Sequence, residues 1–183
     1  MKVLIINLCY KKESLSSNEF VKPIENIVKK TKKYDIIHYL DIKKKKLKQY
    51  NKIILCGNAL KDFEYLNHLE IFNFIKTFKG DVLGICAGAH IIGLVYNSKI
   101  KEGKEIGLIN IKIIKEDIIL NNINFDQTYA LHSKYIEKIN KFEILAQSQN
   151  YNQIFKHKNK NIYAILFHPE VRNKELIINF LKL

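Results

Sequence analysis

The sequence predicts an α/β fold in which a doubly wound, mixed but mostly parallel sheet carries helices on both faces. Three observations carry this. Apolar runs of strand length are continuous rather than alternating, which suits strands buried on both faces of a sheet. In the first half these runs alternate with segments of helical periodicity, as parallel strands joined by crossover helices require. In the second half the runs follow one another with only short connections, so an antiparallel group completes the sheet.

The elements follow in order. VLIINL (3–8) is the first strand, and FVKPIENIVKKTKK after it places apolar residues at 20, 21, 24, 27 and 28, one buried helical stripe. DIIHYL (35–40), KIILCG (52–57) and VLGICA (82–87) are the next strands, with FEYLNHLEIFNFIKTFK as a helix between the last two. AGAHIIGLVY opens another helical pattern. IGLINIKII (106–114), IILNNINFDQTYALHS (118–133), FEILAQS (142–148), IFKH (154–157) and NIYAILFH (161–168) form the antiparallel group. Asn121-Asn122 is expected to turn a hairpin, since asparagine tolerates positive φ, and NKELIINFLKL is the final helix. With no repeat, linker or low-complexity segment, the 183 residues are read as one domain, 1–183.

Composition excludes several classes. A 47% hydrophobic fraction with 7 glycines and 2 prolines argues against disorder. No apolar run approaches the ~20 residues of a membrane span, and the N-terminal stretch, interrupted at Asn7, is too short for a signal peptide core. A cytoplasmic protein with no membrane contact is expected. Cys9, Cys56 and Cys86 share no C-x-x-C spacing, so neither a disulfide framework nor a zinc knuckle is suggested. The net charge is +13, but Arg172 is the one arginine. Recognition of bases and phosphates draws on arginine's bidentate fork, so nucleic acid is an unfavoured partner. KKKK at 43–46 reads as a solvated face, and His68 and His157 as surface residues.

The chemistry is expected where strands end, because ligands of open α/β sheets bind at the carboxyl ends. Cys86 stands there, between VLGIC and a helix, with Gly84 and Gly88 two residues to either side. A sharp strand-to-helix turn that thrusts out one side chain needs neighbours without bulk. The helix N-terminus favours a thiolate, and the N–H of Ala87 would help to form an oxyanion hole. On this pentapeptide alone, a core thiol is an equal alternative. NIYAILFHPEV changes the balance by placing His168 and Glu170 after another strand, with Pro169 blocking a helix. A thiol nucleophile needs a base, and the base an orienting carboxylate.

GICAG followed by FHPEV resembles the triad-type, class I glutamine amidotransferase domain, and the resemblance spans essentially the whole chain. Its fold is flavodoxin-like. FEILAQS and IYAILFHPEV are similar to the closing region of the free-standing glutaminase subunit of archaeal GMP synthetase. GICAGAH also resembles the pyridoxal-phosphate-synthase glutaminase. The resemblance implies hydrolysis of glutamine through a thioester on Cys86, with His168 as general base and acid and Glu170 as its orienter. Gly57 or Asn58, in KIILCGNA, would supply the second oxyanion N–H beside that of Ala87, and LHS (131–133), with His132 and Ser133, would hold the amino acid end of the substrate. It implies no metal and no organic cofactor. The ammonia would pass to a separate synthetase subunit, since the chain stops at Leu183, soon after the motif.

Three positions depart from the pattern. His90 stands where the family commonly has a substrate-touching glutamine. The oxyanion turn reads Gly57-Asn58-Ala59 rather than Gly-Gly-Pro, with an asparagine able to adopt the left-handed conformation. CYKKESLSSNEF, after the first strand, lacks glycine. Two alternatives therefore accompany the glutaminase reading: a γ-glutamyl hydrolase of the same fold, and a non-catalytic ligand-binding or regulatory relative.

Overall fold

The computed structural model describes residues 1–125, 127–137 and 139–183. Strand β1 (Lys2–Asn7) leads to α1 (Leu15–Phe20), whose first turn is capped by the Ser14 side chain accepting from the Ser17 N–H. Helix α2 (Lys22–Val28) carries Pro23 in its first turn, where a missing N–H costs nothing. After β2 (Lys33–His38) come β3 (Lys52–Leu55), β4 (Asp81–Ile85), α3 (Ala87–Val95), β5 (Lys99–Ile109), β6 (Lys112–Ile113), β7 (Thr128–Glu137), β8 (Phe142–Gln147), β9 (Asn152–His157), β10 (Ile162–Ile165) and α4 (Glu175–Lys182). The main sheet runs β2-β1-β3-β4-β10-β9-β8-β6. Its first five strands are parallel and the rest antiparallel. This is the mixed, mostly parallel sheet expected from the continuous apolar runs.

Strand β1 makes the two-faced burial concrete. Val3 and Ile5 join Ile24 and Val28 of α2 and Ile177 and Phe180 of α4 in one core. Leu4 and Ile6 join Ile91 and Ile92 of α3, with Tyr65 and Phe72, in the other. Each such side chain contributes about 1.5–3 kcal/mol by leaving water. Helices on both faces follow directly, since the inner parallel strands β1, β3 and β4 are buried along both faces.

Several expectations need correction. The segment read as a helix between β3 and β4 is a 3₁₀ coil, Glu64–Lys76, broken at His68 (φ −132°, ψ 30°). It buries Tyr65, Phe72 and Ile75, and 3₁₀ geometry stacks the last two on one side at its three-residue repeat. Asn122 does take positive φ (57°), but it turns no hairpin. Ile118–Leu120 is a 3₁₀ turn capped by Asp117, and Ile119 and Leu120 are drawn into the α2–α4 core instead of a ladder. Strands β5 and β7 form a separate two-stranded antiparallel sheet rather than joining the main one. Their burial alternates or is shallow, as expected of a ribbon with one face in solvent. His157, expected at the surface, is buried beside the Tyr96 and Phe142 rings. Among the described residues no helix is long and apolar enough to cross a membrane.

Candidate active site

Strand β4 ends at Ile85 and α3 begins at Ala87, which leaves Cys86 alone to make the turn. It does so at φ 48°, ψ −101°. A side-chain-bearing residue in such a region costs about 1–3 kcal/mol and persists only where its surroundings over-determine it. Here they do: the Cys86 N–H donates to the Ile165 carbonyl (2.8 Å), and the Cys86 carbonyl accepts from the His90 N–H (3.0 Å). The flanking glycines are required by close approach. A Cβ on Gly84 would stand 2.4 Å from the Gly88 carbonyl oxygen, and one on Gly88 2.4 Å from that of Leu55. The spacing G-x-C-x-G therefore encodes the seating of α3 on the ends of β3 and β4.

Strand β10 lies beside β4 and delivers His168 to the same place. The Nδ1 of His168 is 2.8 Å from Oε1 of Glu170, and both side chains are essentially fully buried. The His168 N–H donates to the Tyr129 carbonyl of β7 (2.8 Å), and the Phe20 ring lies 5.4 Å from the imidazole. Burial pushes the imidazole toward its neutral form, but the Glu170 carboxylate and then Cys86 outweigh it, so His168 titrates well above the usual histidine range. Its Nε2 has no hydrogen-bond partner among the described residues. Gly57, at the end of β3, closes the group: a Cβ there would stand 2.6 Å from Cε1 of His168 and 3.5 Å from Cβ of Cys86. Residues 57, 86, 168 and 170 thus meet around one point. Ala87 heads α3, where helix geometry leaves the first N–H groups without intrahelical partners.

Asn58 is buried and holds the next loop, its Nδ2 donating to the Asp62 carbonyl (2.8 Å). It does not adopt the left-handed conformation. Among the described residues the non-glycine positive φ angles belong to Cys86, Asn97 and Asn122. Gly57 likewise serves by close approach and not by φ. In the LHS segment, the Leu131 carbonyl lies 3.7 Å from Cys86 Sγ, and Ser133 Oγ donates to the Leu60 carbonyl (3.4 Å). His132 is buried with its Nε2 3.4 Å from Oε2 of Glu105 on β5.

His90 is likewise buried, with both ring nitrogens engaged. Its Nε2–H donates to the Lys134 carbonyl (3.2 Å), which leaves Nδ1 to accept from the Tyr65 hydroxyl (2.8 Å). This arrangement leaves neither nitrogen for a metal, and among the described residues no group of three or more His, Cys, Asp or Glu is arranged to hold one. Burial takes His90 down to about 4. A depressed histidine stabilises the fold above its unfolded value of about 6.5, and that stability is lost as pH falls toward 4. Replacing His90 by glutamine should flatten the pH dependence of unfolding between about 4 and 6.5 by up to about 3 kcal/mol, measured by denaturant titration at each pH.

Sequence reasoning missed Glu105 and the carbonyls of Tyr129 and Leu131. The carbonyls carry no side-chain signal. Glu105 lies in a lysine- and glutamate-rich stretch, KIKEGKEIG, in which a single carboxylate carries no distinguishing pattern.

Comparison with known proteins adds the following. The family model for Glutamine amidotransferase class-I matches residues 17–182. The glutamine-hydrolysing GMP synthase subunit of Methanocaldococcus jannaschii is 34% identical over 110 residues, which cover 55% of this chain and 58% of that one. The corresponding Thermoplasma volcanium subunit is 30% identical over 151 residues, 77% of this chain and 75% of that one. The chain thus spans less than two thirds of the M. jannaschii relative, and 21% of a longer Campylobacter jejuni GMP synthase. A crystal structure of a protein described as a GMP synthase subunit from Thermoplasma acidophilum superposes with a TM-score of 0.85 at 22% identity, covering 100% of this chain and 92% of that one. At that identity the likeness bears on the fold.

Proposed function

Because the chain belongs to the glutamine amidotransferase class-I family, we propose that it hydrolyses the side-chain amide of glutamine and supplies the ammonia to a separate synthetase subunit. The Cys86 thiolate attacks the amide carbon, and Ala87 with Gly57 or Asn58 donates backbone N–H groups to the oxyanion. Protonated His168 gives its proton to the departing amine, leaving a thioester on Cys86 and free ammonia. His168 then takes a proton from water, whose oxygen attacks the thioester, and glutamate leaves as Cys86 is restored. Glu170 orients the imidazole throughout, and His132, Ser133 and His90 belong to the shell around the substrate. No cofactor enters this scheme.

The observation that carries the reading is the strained Cys86 beside a His168 whose Nδ1 is held by Glu170 at 2.8 Å. The raised His168 keeps an imidazolium beside Cys86, a counter-charge for the attacking sulfur. The relatives that match as GMP synthase subunits suggest a GMP-synthetase-like partner, and a cytoplasmic setting is part of the same reading. The +13 charge suits electrostatic docking to an acidic partner face. The whole of 1–183 is taken as one such domain.

The test is ammonia release from glutamine, comparing the natural protein with Glu170→Gln over a range of pH. Removing the carboxylate lowers His168 from its raised position, so the imidazolium is lost at a lower pH and the thiolate loses its counter-ion. Hydrolysis at neutral pH should fall by roughly 100- to 10,000-fold. Unchanged hydrolysis in the variant would contradict the assignment of Glu170. No release from the natural protein, either by itself or with GMP-synthetase-like partners, would favour the non-catalytic reading.

A further inference from the structure

Strand β7 touches nearly every part of the site through its backbone. The Tyr129 carbonyl accepts from the His168 N–H, the Leu131 carbonyl lies against Cys86 Sγ, and the Lys134 carbonyl accepts from His90. Among the described residues its one ladder partner is β5, and that pair stands apart from the main sheet. Something must fix the ribbon in place, because sub-ångström errors in these carbonyls would be passed to both reacting side chains.

Glu105 supplies the fastening. Its Oε1 accepts from Ser148 Oγ (2.8 Å) and Asn150 Nδ2 (3.4 Å), and its Oε2 from Gln153 Nε2 (2.7 Å). These three donors lie on β9 and on the connection from β8, so one buried carboxylate joins the ribbon to the main sheet. Across the ribbon Glu105 stands opposite His132, where pairing resumes after a register shift between Glu102 and Glu105. The Nε2 of His132 lies 3.4 Å from Oε2 of Glu105. His132 is next to Leu131, so the chain of contacts ends against Cys86.

We propose that Glu105, acting through His132, is a positioning residue for Cys86 and His168: it sets where the β7 backbone lies against them. The proposal rests on the Cys86–His168 reading above. Charge suits the role as well as geometry. Burial disfavours an ionised Glu105, but His132 and Ser148 more than compensate and keep its titration below the usual glutamate range.

The experiment compares Glu105→Ala, Glu105→Gln and Ile162→Ala. Ile162 is a buried residue at the far end of β10 from His168, so its truncation serves as a control for lost stability alone. Three quantities are read: the rate of Cys86 alkylation by iodoacetamide against pH, kcat and KM for glutamine, and the thermal midpoint. Glu105→Ala should slow both alkylation and kcat by roughly 10- to 100-fold, with a smaller rise in KM through His132, an effect of the size that small misplacements produce. Glu105→Gln, which keeps one acceptor oxygen, should fall between it and the natural protein. If both Glu105 variants react and turn over like Ile162→Ala once their midpoints are taken into account, Glu105 only stabilises and the proposal fails. If alkylation responds to Glu105 but the natural protein hydrolyses no glutamine, positioning stands and the glutaminase reading falls.

Discussion

On the proposed mechanism, Cys86→Ala and Cys86→Gly should both lose glutamine hydrolysis, by roughly 10,000-fold or more, and the glycine variant should be the more stable of the two. The first part follows from removing the thiol on which the proposed thioester forms. The second separates strain from chemistry. Alanine keeps the Cβ at φ 48°, ψ −101°, and with it the conformational cost of about 1–3 kcal/mol. Glycine is free of that cost but gives up about 0.5–1 kcal/mol in the unfolded chain. The difference favours glycine by about 0–2 kcal/mol, which in a chain of this size is a few degrees in the unfolding midpoint. Ordinarily alanine would win. Calorimetry of the two variants reads the strain, and a markedly more stable alanine variant would contradict it.

Gly57→Ala should lower kcat by about 100-fold while the fold survives. The added methyl would stand 2.6 Å from His168 Cε1 and 3.2 Å from Nδ1, distances at which something must move. The imidazole has little room to do so. It is almost fully buried, bonded to Glu170 through Nδ1 and backed by Phe20. The nearest atoms are side-chain atoms, in contrast to Gly84 and Gly88, where a methyl would strike backbone carbonyl oxygens. Substitution at Gly57 should therefore misplace His168, whereas substitution at Gly88 should unseat α3 and unfold the protein at lower temperature. Steady-state kinetics beside thermal denaturation distinguishes the two, and a Gly57→Ala enzyme with unchanged kcat would contradict the geometry.

What the sequence revealed and what it hid have physical reasons. The parallel half was legible because VLIINL and KIILCG must be covered on both faces, and only a helix-flanked sheet provides that. The meeting of Cys86, His168 and Glu170 was legible because neighbouring parallel strands bring the residues at their carboxyl ends together. The antiparallel half was harder. Its runs are short, and whether Ile118–Leu120 extends or coils depends on burial against α4, a long-range contact that no local pattern encodes. The His68 break and the separation of the β5–β7 ribbon are likewise tertiary outcomes. Within the site, Gly57 was found for one reason and matters for another, since its φ is ordinary and its missing Cβ is what His168 needs. His90 was visible only as a departure from a family pattern; its bond to Tyr65 joins α3 to the 3₁₀ segment that periodicity had misread.

The most direct measurement is reaction of the protein with a glutamine-mimicking electrophile, followed by mass-spectrometric mapping of the adducts. Three thiols compete, all of them buried, and Cys86 keeps 4% of its surface in contact with solvent. Cys9 is fully buried and pushed up to about 12 by that burial, and Cys56, also fully buried, is pushed well above its usual value. Both should be inert. The account predicts rapid labelling confined to Cys86, suppressed by glutamine and absent from Cys86→Ala. Alkylation of Cys86 by iodoacetamide with no reaction toward the glutamine mimic, or labelling that glutamine leaves untouched, would contradict it.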